Sequence, residues 1–83
     1  MKYYELLKQM PIGLDRAILR ILSFHEGREN AIGRGELVHE CKRAGFRVNE
    51  RQLREAIKQL RRQGHLICSA PGEEGGYYLP RNH

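Results

Sequence analysis

Asn49-Glu50-Arg51-Gln52-Leu53-Arg54-Glu55-Ala56-Ile57-Lys58-Gln59-Leu60-Arg61-Arg62-Gln63-Gly64 is the stretch that decides the fold. Asn49 is a strong N-cap residue. Gln52, three positions on, completes a capping box, in which each side chain accepts from the other residue's backbone N–H. Leu53, Ala56, Ile57 and Leu60 recur at helical spacing, and Gly64 supplies the C′ glycine that stops the turn. The spacing therefore predicts a helix over 50–63. Successive residues rotate by about 100° around a helix. With Leu53 at zero, Ala56 lies at about 300°, Ile57 at about 40° and Leu60 at about 340°. On the far side stand Lys58 at about 140°, Arg51 at about 160°, Arg62 at about 180° and Glu55 at about 200°. Arg54 and Arg61 flank them at about 100° and 80°. One side of this helix is a narrow core stripe, and the other carries five bases and one acid.

Upstream, Gly45-Phe46-Arg47-Val48 reads as a turn with two apolar plugs, Phe46 and Val48. Residues 33–44 read as a helix with Leu37, Val38, Cys41 and Ala44 as its apolar stripe and Gly45 at C′. With Gly33 as N-cap, Glu36 sits at N3, half of a capping box. Residues 29–32 are too short for a helix and read as an extended link or a short edge strand. Residues 14–24 repeat Leu14, Ala17, Ile18, Ile21 and Leu22 with helical spacing, Asp15 lies in the first turn, and Gly27 closes the segment. Before them, Tyr3, Leu6, Leu7 and Met10 form one apolar face of a short arm, interrupted by Pro11 and Gly13. That arm suits either the edge of the core or a second chain in a homodimer. Downstream, residues 66–69 and 76–79 read as strands joined by the turn-rich Ala70-Pro71-Gly72-Glu73-Glu74-Gly75. Alternation along the second strand assigns Tyr77 and Leu79 to the core and leaves Tyr78 outward.

The chain has 83 residues and a formal charge of +5. That length suits one domain, with residues 1–12 as the arm and 14–80 as the core. Residues 34–63 hold nine bases and four acids, so the middle third carries as much net charge as the whole chain. A localised basic segment in a small domain is the footprint expected of a polyanion binder. No apolar run approaches the ~20 residues that span a bilayer, and no secretory h-region is visible. The expectation is no membrane association and a cytoplasmic, nucleoid-associated location. Cys41 and Cys68 are too few for a disulfide scaffold. They and the four histidines lack metal-ligand spacing, and no metal or other cofactor is expected. Gly72, Gly75 and Gly76 do not read as a phosphate loop, because glutamates flank them and no helix follows. Catalysis finds no support either, since the chain offers neither paired carboxylates in a plausible cleft nor length enough for a pocket.

The resulting order is helix, short strand, helix, turn, helix, strand, turn, strand. Two helices joined by a glycine-containing turn, the second capped and basic, make a helix-turn-helix, and a following hairpin makes it winged. In "AIGRGELVHECKRAGF", "NERQLREAIKQLRRQGHLICS" and "GGYYL", over roughly residues 14–79, the chain resembles the winged helix-turn-helix family. The likeness is closest to its small stand-alone members from bacteria and their phages. That resemblance implies an α+β, mostly helical fold and binding of double-stranded DNA, in a transcriptional regulator or a replication-associated factor. It is compatible too with a protein-interaction module docking on a polymerase or replisome component.

On the DNA reading, residues 50–63 enter the major groove, where the N-terminal part of such a helix meets base edges. Arg51 and Arg54 are the candidate readers, joined by Gln52 and by Asn49 at the cap. Lys58, Arg61, Arg62, Lys42, Arg43 and Arg47 are the candidate phosphate ligands, and Tyr78 is a candidate stacking contact. About five engaged phosphates would give a log–log salt slope near −4.5. The plainer alternative is a solvated helix with i,i+4 pairs. Arg51–Glu55 fits that alternative, whereas Arg54–Lys58 repels. One feature departs from the family, whose wing is expected to meet DNA through Arg or Lys. Here the wing tip is Glu73-Glu74, which suits a basic protein partner or a wing aimed away from DNA. The interval from Cys41 to Asn49 is also longer than a tight helix-turn-helix turn.

Overall fold

A computed structural model describes residues 13–71 and 75–81. Its helices are α1 (Leu14–Leu22), α2 (Arg34–Arg43) and α3 (Glu50–Arg62), and its strands are β1 (Ile32–Gly33), β2 (Cys68–Ala70) and β3 (Gly76–Tyr78). Arg28–Asn30 adds a single 3-10 turn. The domain is a small, mostly helical α+β structure. The arm at residues 3–10 and the glutamate pair 73–74 lie outside the described residues.

Each helix buries most of the stripe its spacing dictates, with Ala17 and Ile21 of the first left half-buried. Leu14, Ile18 and Leu22 come from α1, Leu37, Val38 and Cys41 from α2, and Leu53, Ala56, Ile57 and Leu60 from α3. Val48 closes the core at the turn, and Ile32, Ile67 and Tyr77 close it on the sheet side. Val48 precedes the N-cap and Leu53 is the fourth helical residue. Both are buried, at the two positions of a hydrophobic staple that fixes how the chain enters α3.

The helix ends explain the long interval before Asn49. Ala44 caps α2, and Gly45 turns at φ 99°. Phe46 N–H then donates to Cys41 C=O and Gly45 N–H to Lys42 C=O, at 3.0 Å each. That pair of bonds is a Schellman motif, which needs the left-handed conformation that glycine adopts without strain. The end of α3 repeats it, with His65 N–H on Leu60 C=O at 3.0 Å and Gly64 N–H on Arg61 C=O at 3.1 Å. The turn is longer than a tight one; its first two amides are bonded to α2, Val48 is buried and Phe46 packs half-buried against the core.

The sheet has the order β1-β3-β2, with both pairings antiparallel. Tyr77 stands opposite Ile32 on one side and Ser69 on the other. Beyond β3, Leu79 N–H donates to His25 C=O at 3.0 Å and Gly27 N–H donates to Leu79 C=O at 2.8 Å. The segment after α1 is thus tied to the end of the hairpin. Gly76 is required by close approach. A Cβ there would run into the carbonyl oxygen of Ile32 and come within 2.9 Å of the Gly33 Cα.

Four expectations shift. The link over 29–32 is mostly the 3-10 turn, and only Ile32 of it enters a strand. Ala44 is exposed at the cap instead of buried in the stripe, because the helix has ended there. The first helix stops at Leu22 and leaves Phe24 78% exposed. The strand expected from residue 66 starts at Cys68, and Leu66 is 65% exposed.

Candidate nucleic-acid interface

The amino end of α3 is built by its capping box. Gln52 N–H donates to Asn49 Oδ1 at 2.8 Å, and Asn49 N–H donates to Gln52 Oε1 at 3.0 Å. This changes what the two side chains can do. Reading adenine takes a free amide with both its oxygen and its nitrogen presented. Both oxygens here are turned onto their own backbone, so Asn49 and Gln52 set the helix start and are withdrawn as base readers.

Glu50 is an exposed acid in the first turn of α3, and beyond it burial separates the residues by charge. From Arg51 to Arg62 the exposed positions are Arg51, Arg54, Lys58, Arg61 and Arg62, and every one is basic. On the wheel they fill one continuous arc from about 80° to about 180°. Glu55, at the edge of that arc, is half-buried, and the i,i+4 pair with Arg51 that a solvated helix would make does not form. Arg51, Arg54 and Lys58 have no acidic partner among the described residues. The core side is broader than the spacing predicts, because Gln59 is only 5% exposed. Its Oε1 is buried without a hydrogen-bond partner. Such a buried, unpaired acceptor costs about 1–3 kcal/mol.

Arg61 is the largest correction. Its Nε donates to Ile67 C=O at 2.8 Å, its Nη2 donates to Ser69 Oγ at 2.7 Å, and its guanidinium lies 5.9 Å from the Tyr77 ring centroid. The group expected on a phosphate instead clamps β2 and β3 onto the end of α3. Periodicity places Arg61 at the border of the arc and the core. Its long stem and five donors allow it to reach the adjacent strand.

Two further exposed bases lie outside α3, beside its amino end. Lys42 and Arg47 are exposed and line a surface groove of about 470 Å³ together with Asn49 and Gln52. Arg43 does not join them. It pairs with Glu40 at 3.4 Å and lines a different groove, between α1 and α2. Tyr78 is half-buried, and alternation turns it to the sheet face opposite Tyr77 and the Arg61 clamp. The described residues thus leave Arg51, Arg54, Lys58 and Arg62 exposed on one arc of α3, and Lys42 of α2 and Arg47 of the turn exposed on a groove beside its amino end.

The remaining reactive groups do not build a site here. Burial, and next the charge of Glu40, push the Cys41 thiol above its usual pKa. Among the described residues no three His, Cys, Asp or Glu side chains cluster as metal ligands, and no helix is long and apolar enough to cross a membrane. No family model, curated protein or solved structure matches this chain.

Proposed function

We propose that this chain is a winged helix-turn-helix protein that binds double-stranded DNA, with α3 lying in the major groove. The observation that carries the reading is the exposed arc of α3, in which every solvent-facing residue from Arg51 to Arg62 is a base. A helix kept exposed only for solubility normally mixes signs to gain i,i+4 pairs, and Arg51, Arg54 and Lys58 forgo them among the described residues. The element order and the three-stranded sheet are those the proposal requires. B-DNA's major groove is about 12 Å wide and accepts one helix.

Arg51 and Arg54, near the amino end of α3, are the base readers, each suited to the O6/N7 edge of guanine. Lys58 and Arg62 further along, with Lys42 at the end of α2 and Arg47 on the turn, meet phosphate and fix register. Arg61 acts through the hairpin it clamps and is not counted among the phosphate ligands. Four phosphates in place of five put the slope of log K against log salt at about −3.6. The role in the cell is that of a DNA-binding regulator or replication-associated factor.

The test is fluorescence anisotropy with labelled duplexes over roughly 50–300 mM salt. The expected result is a slope near −3.6, with Arg51→Ala flattening base preference and Lys58→Ala weakening all sequences alike. Affinity that does not change over that range overturns the proposal, and a co-purifying protein partner without any DNA shift favours the interaction-module reading.

A further inference from the structure

Away from the basic arc, α1 and α2 enclose a groove of about 670 Å³ to which α3 contributes no lining residue. Ala17, Ile21, Ile32 and Phe46 give it an apolar floor. Phe24 stands at its edge with 78% of its surface in solvent, the most exposed large apolar side chain among the described residues. Its rims differ in charge. Arg16 and Arg20 come from α1, and Glu36 and Glu40, with Arg43 beside Glu40, from α2. Glu40 has Arg43 at 3.4 Å, while Arg16, Arg20 and Glu36 have no ion-pair partner among the described residues.

We propose that this groove is the docking surface for a second copy of the chain. In a two-fold dimer the same patch meets itself, so residue i touches j while j touches i. When the axis runs along the groove, the basic rim of one copy faces the acidic rim of the other on both sides. A ligand of one charge sign would be repelled by one of the two rims, whereas a second copy satisfies both. Closing two copies over the groove also removes both exposed Phe24 rings from water. Such a buried aromatic anchor is the usual source of interface affinity. The proposal stands independently of the DNA reading, because association is measured without DNA.

Sedimentation equilibrium of the full chain, up to about 1 mM, tests it. The expected result is a reversible monomer–dimer equilibrium that Phe24→Ser weakens at least about tenfold. At concentrations where both chains are monomeric, thermal unfolding should be unchanged by that substitution, since the ring is exposed in the monomer. The charge pattern gives a second, register-free test. The R16E/R20E variant and the E36R/E40R variant should each stay monomeric alone and associate when mixed. A wild-type chain monomeric at every concentration overturns the proposal. So does a dimer that Phe24→Ser leaves intact, or charge variants that ignore each other when mixed.

Discussion

Arg61→Ala and Lys58→Ala remove one positive charge each from the same helix face, yet they should fail in opposite ways. Alanine is the best helix former, so neither change weakens α3 by propensity. Arg61 loses a part-buried bond to Ile67 C=O at 2.8 Å, an exposed bond to Ser69 Oγ at 2.7 Å and its place over Tyr77. A typical bond contributes about 1 kcal/mol net, and the exposed bond and ring contact about 0.5 kcal/mol each, for a sum of about 2 kcal/mol. In a domain of this size that lowers the melting temperature by about 8–16 °C. The hairpin amides around Ser69 should exchange faster, because β2 loses its tie to α3. DNA affinity falls only as far as the hairpin is displaced, and the salt slope stays near −3.6. Lys58 is exposed and has no side-chain hydrogen bond or ion pair among the described residues. Its removal should leave melting within about 2 °C of wild type and flatten the slope by about 0.9, to about −2.7. Calorimetry and salt-dependent anisotropy on the two variants read all four quantities. A slope that flattens in Arg61→Ala with no loss of stability would refute the clamp and return Arg61 to the phosphate ligands.

Gln59→Met keeps side-chain length and helix propensity while removing the buried, unpaired Oε1. It should raise stability by about 1–2 kcal/mol in urea denaturation, and any loss contradicts the burial argument. Gly76→Ala drives a Cβ into the Ile32 carbonyl, so β1 must separate from β3 at a cost of about 2 kcal/mol or more. A change within about 0.5 kcal/mol on calorimetry would mean that the two strands are less closely paired. Cys68, half-buried, should react with a thiol reagent in the native protein, whereas Cys41, fully buried, should react only on unfolding. Because Cys41 keeps its proton to higher pH folded than unfolded, its contribution to stability is full below the ordinary thiol pKa and declines as pH rises through it. Native-state labelling of both thiols at equal rates would contradict that placement.

Local signals were readable where one residue type answers one local need. Asn49 and Gln52 announced a capping box, Gly45 and Gly64 announced two Schellman ends, and the spacing of Leu53, Ala56, Ile57 and Leu60 announced the face that α3 buries. What the sequence hid depends on neighbours in space. The burial of Gln59 follows from how widely α3 is covered, which a helical wheel does not contain. Arg61 looks the same as Lys58 until a strand eight residues later passes beside it. Gln52 reads equally as a cap and as a base reader, and only the hydrogen bond decides between them. The α1–α2 groove was missed altogether. Its faint signal was Phe24, set on the flank of the first helix beside Ala17 and Ile21 but away from the Leu14–Ile18–Leu22 stripe. The set of candidate DNA ligands narrows for the same reason, since charge is visible in sequence and commitment to an internal partner is not.

The central claim is that the all-basic arc of α3 is the surface that meets duplex DNA. Nuclear magnetic resonance titration of the labelled chain with a duplex tests it most directly, because it reads position and binding together. The account predicts the largest shifts at Arg51, Arg54 and Lys58, with Lys42 and Arg47 following and the α1–α2 groove silent. Shifts confined to that groove, or a spectrum that duplex DNA leaves unchanged at low salt, would contradict it.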